Sequence, residues 1–192
     1  MIEIRIHGRG GQGNVVAAYM LATAAIQDGR FAQAFPNFGA ERRGAPVMAF
    51  VRITDKPIRR RCQVRQPDFL IIQDQALLHV PGVTAGLRPG GAILVNAVRS
   101  SEALSQELGL TVHALPATQL ALEYLGRPVP NTALLAAFLD LTELMPEEAL
   151  FHALESRFKR PVLEKNRALM EKIVETVPTG QWKDFVAEPV HA

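Results

Sequence analysis

Ile2, Ile4 and Ile6 alternate with Glu3 and Arg5. That period of two predicts a first strand with one face partly exposed. A glycine cluster follows at Gly8, Gly10, Gly11 and Gly13. The stretch from Val15 to Ile26 is Ala-rich and apolar all round, which predicts a helix lying close against something flat and ending near Asp28 and Gly29. Residues 31–46 lack strong periodicity; a short strand is expected near 32–35, then an ordered loop containing Gly39 and Gly44. Val47 to Ile53 reads as the next strand, and 55–67 as basic and irregular. Phe69 to Ile72 and Ala92 to Asn96 are short apolar runs of the kind that form buried parallel strands. Helical pieces are expected over 75–87, a helix capped by Ser101 over 101–108, a strand over 110–115, and a further helix opened by Pro116.

Strands that alternate with helical stretches predict a Rossmann-like α/β fold: three layers, a mostly parallel sheet and helices on both faces. From residue 131 the pattern turns to helix alone, over 132–144, 146–157 and 161–177, giving a helical C-terminal part. The expected organisation is a single domain over 1–178 and a C-terminal tail over 179–192. Trp182 and Phe185 of that tail suit docking on a partner or on the domain itself.

Composition narrows the function. The chain has 192 residues, 48% of them hydrophobic, enough for a full core without disulfides or metals. A net charge of +2, with basic residues gathered in a Gly/Pro-rich region, lacks the basic stripe of a nucleic-acid binder. Cys62 is the one cysteine, so neither an intrachain disulfide nor an iron–sulfur cluster, which takes about four thiolates, can form. A cytoplasmic setting is expected: the N-terminus shows no apolar signal core, and no apolar run approaches the roughly 20 residues of a membrane span. No metal-ligand spacing, Ser/His/Asp arrangement or paired carboxylates stand out.

Gly8-Arg9-Gly10-Gly11-Gln12-Gly13 has the spacing G-x-G-x-x-G, after a strand and before a helix. Such glycines allow a tight turn and close backbone approach, and the helix start offers free N–H groups to an anion. The alternative is a tight turn without a ligand. Asn14 stands where a Walker loop needs lysine. A dinucleotide would need a carboxylate about 20 residues after the loop, and Phe31 to Pro36 carries none; NADP would have to recruit Arg42 or Arg43. In Phe38-Gly39-Ala40-Glu41-Arg42-Arg43-Gly44-Ala45-Pro46 the two arginines suit phosphate or carboxylate recognition, or form a solvated turn with Glu41 as partner.

His7 to Gly13, Gln33 to Pro36, Phe38-Gly39, Glu41 to Val47, Leu87 to Gly91 and Asn131 to Phe138 closely resemble the gamma subunits of 2-oxoacid:ferredoxin oxidoreductases, in order over about residues 2–175. Asn14 departs from the small aliphatic residue expected there. The resemblance implies a subunit that is not active alone, in an enzyme that oxidatively decarboxylates a 2-oxoacid with coenzyme A to acyl-CoA, CO2 and reduced ferredoxin or another acceptor. Alpha and beta subunits would hold thiamine diphosphate and Mg²⁺, and a ferredoxin-like delta subunit the iron–sulfur clusters. This chain would serve assembly and coenzyme A binding. The candidate ligand-binding residues are then Gly8, Arg9, Gly10, Gly11, Gln12, Gly13, Phe38, Glu41, Arg42, Arg43, Gly44, Asn96, Asn131 and Thr132. Arg59, Arg60, Arg61 and Arg65 are phosphate-compatible, or a solvated or partner-facing run. His7 and His113 read as structural, and Asp74 ends a strand where ligands gather in open α/β sheets. A free-standing NADP-dependent oxidoreductase and a ligand-free interaction module are the competing readings.

Overall fold

The computed structural model describes residues 1–37 and 46–187. Its strands are β1 (Ile2–Arg9), β2 (Phe31–Asn37), β3 (Pro46–Thr54), β4 (Phe69–Ile72), β5 (Ala92–Asn96) and β6 (Thr111–Leu115), in sheet order β2-β3-β1-β4-β5-β6. The pairs β1–β4, β4–β5 and β5–β6 are parallel, and β1–β3 and β2–β3 antiparallel. The helices are α1 (Asn14–Gln27), α2 (Ser101–Leu108), α3 (Ala117–Leu125), α4 (Asn131–Thr142), α5 (Glu147–Glu155), α6 (Arg160–Thr176) and α7 (Lys183–Ala187). This is the expected three-layer α/β architecture, with its helical C-terminal part folded onto one face.

Each face of the sheet has its own core. Ile2, Ile4, Ile6, Phe69, Ile71 and Leu94 face the thick helical layer of α1 and α3 to α6. Leu70, Ile72, Ile93 and Val95 face a thinner layer built from α2 and the residues around Leu77 and Val83. The alanines of α1, among them Ala17, Ala18, Ala24 and Ala25, let its axis approach the strands closely and are buried. α4 is apolar on every side because it lies between the sheet and α6; all of its residues are buried.

Three local expectations change. β1 is buried on both faces, although its second face carries Glu3, Arg5 and His7: Arg52 pairs with Glu3, and the segment at Val83 and Ala85 lies over Arg5. Arg52 Nε donates to Glu3 Oε1 at 2.7 Å, with both side chains almost fully buried. The cap of α2 is Ser100: its extended backbone lets Oγ accept from Ala103 N–H at 3.2 Å, while Ser101 Oγ accepts from Ala114 N–H in β6 at 2.9 Å. Over 75–87 only a single 3₁₀ turn forms, Gln75–His79, because Pro81, Gly82 and Gly86 interrupt anything longer.

Beyond α6 the chain returns to the core. Trp182 is buried, stacked on Phe69 at 5.9 Å and met edge-on by His113. Its backbone N–H donates to the Leu141 carbonyl at 2.6 Å, covering the last turn of α4. Trp182→Ala should lower unfolding stability by about 3–5 kcal/mol, read from the urea midpoint at constant m-value; an unchanged midpoint would show that the indole adds nothing to the core.

Candidate functional site

The glycine loop joins β1 to α1 at the carboxyl edge of the parallel strands, where ligands of open α/β sheets bind. Gln12 closes it twice: its N–H donates to the Arg9 carbonyl at 3.0 Å, and its Oε1 accepts from Arg9 N–H at 2.7 Å. Gly11 and Gly13 have φ of 94° and 79°, a region that disfavours side chains. Gly8 is needed for packing, since a Cβ there would run into the side chain of Asn14. Asn14 in turn donates from Nδ2 to the Val47 carbonyl at 2.8 Å, tying α1 to β3. Gly10 lies half-buried in the turn. Arg9 pairs through Nε with Asp74 at the end of β4, and Asp74 Oδ1 also accepts from Ala76 N–H.

A cleft of about 510 Å³ opens beside Gly11, Gln12 and Gly13. Three helix starts meet on it: those of α1 at Gly13, of α4 at Asn131 and of α6 at Pro161 and Val162. None of the three has a side-chain cap or an acidic residue in its first turn. The other long helices are provided for elsewhere. Ser100 caps α2, Asn96 Oδ1 accepts from Thr118 N–H in the first turn of α3, and Glu147 and Glu148 open α5. Free N–H groups of α1 and α4 and three partial positive charges therefore converge on one opening; α6 adds only its partial charge there, since Pro161 has no N–H and the Val162 N–H donates to the Lys159 carbonyl.

Side chains add to that polarity. Lys165 and Arg127 line the cleft. Asn131 donates from Nδ2 to the Gly13 carbonyl at 3.2 Å, and its buried Oδ1 has no partner. Asn166 donates to the Val162 carbonyl at 2.8 Å and likewise leaves a buried Oδ1 unpaired. Val16, Met20, Leu125, Phe158 and Val162 form apolar wall. The arrangement offers an anion charge and N–H donors, and offers hydrogen-bond donors on the same ligand two buried acceptors.

Of the sequence candidates, Gly11, Gln12, Gly13, Asn131 and Thr132 line this cleft. Phe38, Glu41, Arg42, Arg43 and Gly44 lie outside the described residues. The residues on either side of them, Asn37 and Pro46, stand at the same sheet edge, Pro46 opposite Arg9. Asn96 is spent internally: its Nδ2 donates to the Gln73 carbonyl at 2.9 Å and to Thr118 Oγ1 at 2.7 Å. It lines a neighbouring hollow of about 360 Å³ with Asp74 and Gln73, whose buried side-chain amide has no partner. Arg65 lines a separate hollow that shares no residue with the cleft. Lys165, Asn166, Arg127 and Phe158 were missed as site residues. In sequence they read as part of a helix and a connection; the one available signal is the absence of a carboxylate in the first turn of the 161–177 helix, where one is usual. No group of metal-ligating side chains occurs among the described residues, and no helix there is long and apolar enough to cross a membrane.

The strand beside β1 also bears on the dinucleotide alternative. In a dinucleotide fold a parallel strand stands there and its end grips the ribose; here antiparallel β3 takes that place.

The fold and cleft define a class: an α/β module whose first turn and later helix starts surround one apolar-walled cleft. The profile of the family described as pyruvate ferredoxin/flavodoxin oxidoreductase matches residues 3–176. The chain is 48% identical over 171 residues to pyruvate synthase subunit PorC of Methanocaldococcus jannaschii, spanning 89% of this chain and 94% of that one. It is 47% identical over 175 residues to the common gamma subunit of the pyruvate/ketoisovalerate oxidoreductases of Thermococcus kodakarensis, spanning 90% and 95%. The crystal structure of pyruvate oxidoreductase subunit PORC from Thermotoga maritima matches with a TM-score of 0.81 at 37% identity, over 91% of this chain and 95% of that one. The chain belongs to the pyruvate ferredoxin/flavodoxin oxidoreductase family, as a gamma subunit of an oxidoreductase complex.

His7, at the end of β1, is 3% exposed, and its Nε2 has no hydrogen-bond partner. Burial, with the Arg5 charge adding to it, pushes its pKa down from 6.5 to about 3. As pH falls the unfolded chain takes up this proton first. The stability due to neutral His7 is therefore complete above about 6.5 and lost as pH falls toward 3, at up to about 1.4 kcal/mol per pH unit. The unfolding free energy of wild type minus that of His7→Gln should fall with that slope between those limits; a difference independent of pH would mean that His7 titrates in the fold as it does in the unfolded chain.

Proposed function

We propose that this gamma subunit receives coenzyme A in the cleft between α1, α4 and α6, and that it is not active without companion subunits. The reaction of the whole enzyme is oxidative decarboxylation of a 2-oxoacid with coenzyme A, giving acyl-CoA, CO2 and reduced ferredoxin or another acceptor. Pyruvate is the substrate that the names of its relatives favour. Thiamine diphosphate, Mg²⁺ and iron–sulfur clusters belong in this reading to alpha, beta and ferredoxin-like delta subunits. Cys62, the only cysteine, cannot hold a cluster alone.

The observation that carries the proposal is the convergence of three uncapped helix starts and two unpaired buried amide oxygens on one apolar-walled cleft. Coenzyme A matches each part. Its pyrophosphate and 3′-phosphate suit the helix starts, Lys165 and Arg127. Its pantetheine amides present N–H groups to Asn131 and Asn166, and its aliphatic segments suit Met20, Val162 and Phe158. Arg42 and Arg43 lie outside the described residues, and as paired arginines between glycines they remain candidate phosphate contacts. Within this scheme the glycine loop and Thr132 bind, while Asn96 and Asp74 hold the adjoining edge in shape.

In the assembled enzyme, Lys165→Ala should raise KM for coenzyme A by about tenfold or more, the worth of one charge-assisted contact, and leave KM for the oxoacid unchanged. Steady-state kinetics with each substrate varied in turn checks this. Unchanged KM for coenzyme A in both Lys165→Ala and Arg127→Ala would remove the cleft from coenzyme A binding. Binding of NADPH by the purified chain, seen as a change in nucleotide fluorescence, would favour the free-standing oxidoreductase instead.

A further inference from the structure

Arg5 lies on the face of β1 opposite the helical layer and is 7% exposed. Its Nη2 donates to the Val83 carbonyl at 2.9 Å and the Ala85 carbonyl at 2.7 Å. Its Nε is buried without a partner. Among the described residues no carboxylate pairs with it: burial alone lowers its pKa, with no acidic group acting against that shift. Arg52, on the same face one strand away, is equally buried yet paired with Glu3. A guanidinium withdrawn from water costs several kcal/mol unless a counter-charge meets it, and neutral carbonyls offset only part of that.

A hollow of about 300 Å³ opens over Arg5, with Met48, Phe50, Gln63 and Arg65 on its walls. Residues 56–67 supply Lys56, Arg59, Arg60, Arg61 and Arg65 and no acidic residue. The four arginines are exposed. The helix on this side, α2, lies against β6 at the far edge of the sheet, so among the described residues β2 and β3 carry no helix here. The result is a buried, uncompensated cation at the base of an open hollow, beside an exposed basic rim.

We propose that Arg5, with Arg65 at the mouth of the hollow, forms a carboxylate-binding site that an acidic side chain of a companion subunit fills in the assembled complex. A planar carboxylate suits a guanidinium with unused N–H groups, and Met48 and Phe50 suit the methylene stem behind it. The exposed arginines around the hollow exceed what one small free anion neutralises and match an acidic protein surface. The site rests on this chain's place in a complex and not on the coenzyme A cleft. Its readout is assembly, so either reading can fail without the other.

The test measures the affinity of the full chain for the remaining subunits at low and high salt. Wild-type affinity should fall with salt, and Arg65→Glu should raise Kd by about tenfold or more at low salt. Arg5→Gln should do the same; if it does not fold, exposed Arg65 decides the result. The isolated chain is also titrated with acetate and with inorganic phosphate while the Arg5 Nε–H resonance is followed, and neither should saturate it at millimolar concentration. An unchanged Kd for Arg65→Glu would overturn the site. Saturation of Arg5 by acetate or phosphate would overturn its occupant and make it a free-anion site.

Discussion

Asn131 donates its side-chain amide to the Gly13 carbonyl across 118 residues of sequence, and the cleft depends on that contact. A Cβ on Gly13 would stand 2.7 Å from Asn131 Nδ2, so a glycine there is what lets α4 begin against the start of α1. Once those two helix starts share one place, α6, which lies on α4, adds a third. Positive helix ends do not gather spontaneously; they repel one another and each seeks a cap. Burial of α4 on all sides supplies the force that holds them together.

The two faces of the sheet resolve their polar residues differently. On the helical face the strands present isoleucine and phenylalanine, and the hydrophobic effect is sufficient. On the other, β1 carries Glu3, Arg5 and His7 into an interior position. Glu3 is met by Arg52 and His7 is kept neutral, while Arg5 is left with carbonyls only. A fully buried ion pair is stable only when its geometry is good, and the pair of Glu3 with Arg52 also fixes the loop beyond β3, because Arg52 Nη2 donates to the Cys62 carbonyl at 2.7 Å. One arginine thus orders the segment that carries the exposed basic run.

Much of the architecture was legible because each signal was local. The alternation in β1, the alanine-rich helix after the glycines and the short apolar runs at Phe69 and Ala92 correspond to elements found near those places. Errors came where a non-local partner decided the outcome. Ser101 reads as a cap in isolation, but the extended backbone one residue earlier gives that role to Ser100 and turns Ser101 toward β6. Alternation in β1 implied an exposed face, whereas the distant segment at Val83 and Ala85 lies over Arg5 and the Arg52 side chain meets Glu3. In the site, Gly13 and Asn131 were recognisable from motifs, but Lys165 and Asn166 were not, because nothing in an amphipathic helix announces which end will meet a loop some 150 residues away.

The sequence alone determined the α/β class, the glycine turn and the lack of thiols for a cluster, since each follows from residue type and spacing along the chain. Family membership too was written in the order of motifs from residue 2 to 175. Tertiary structure decided which helix starts converge, which polar atoms remain without partners, and that the Asn96 amide is occupied while Arg5 Nε is not. Those are properties of contacts between distant segments, and a hydrogen bond or an uncompensated charge exists only once the chain has brought its two sides together.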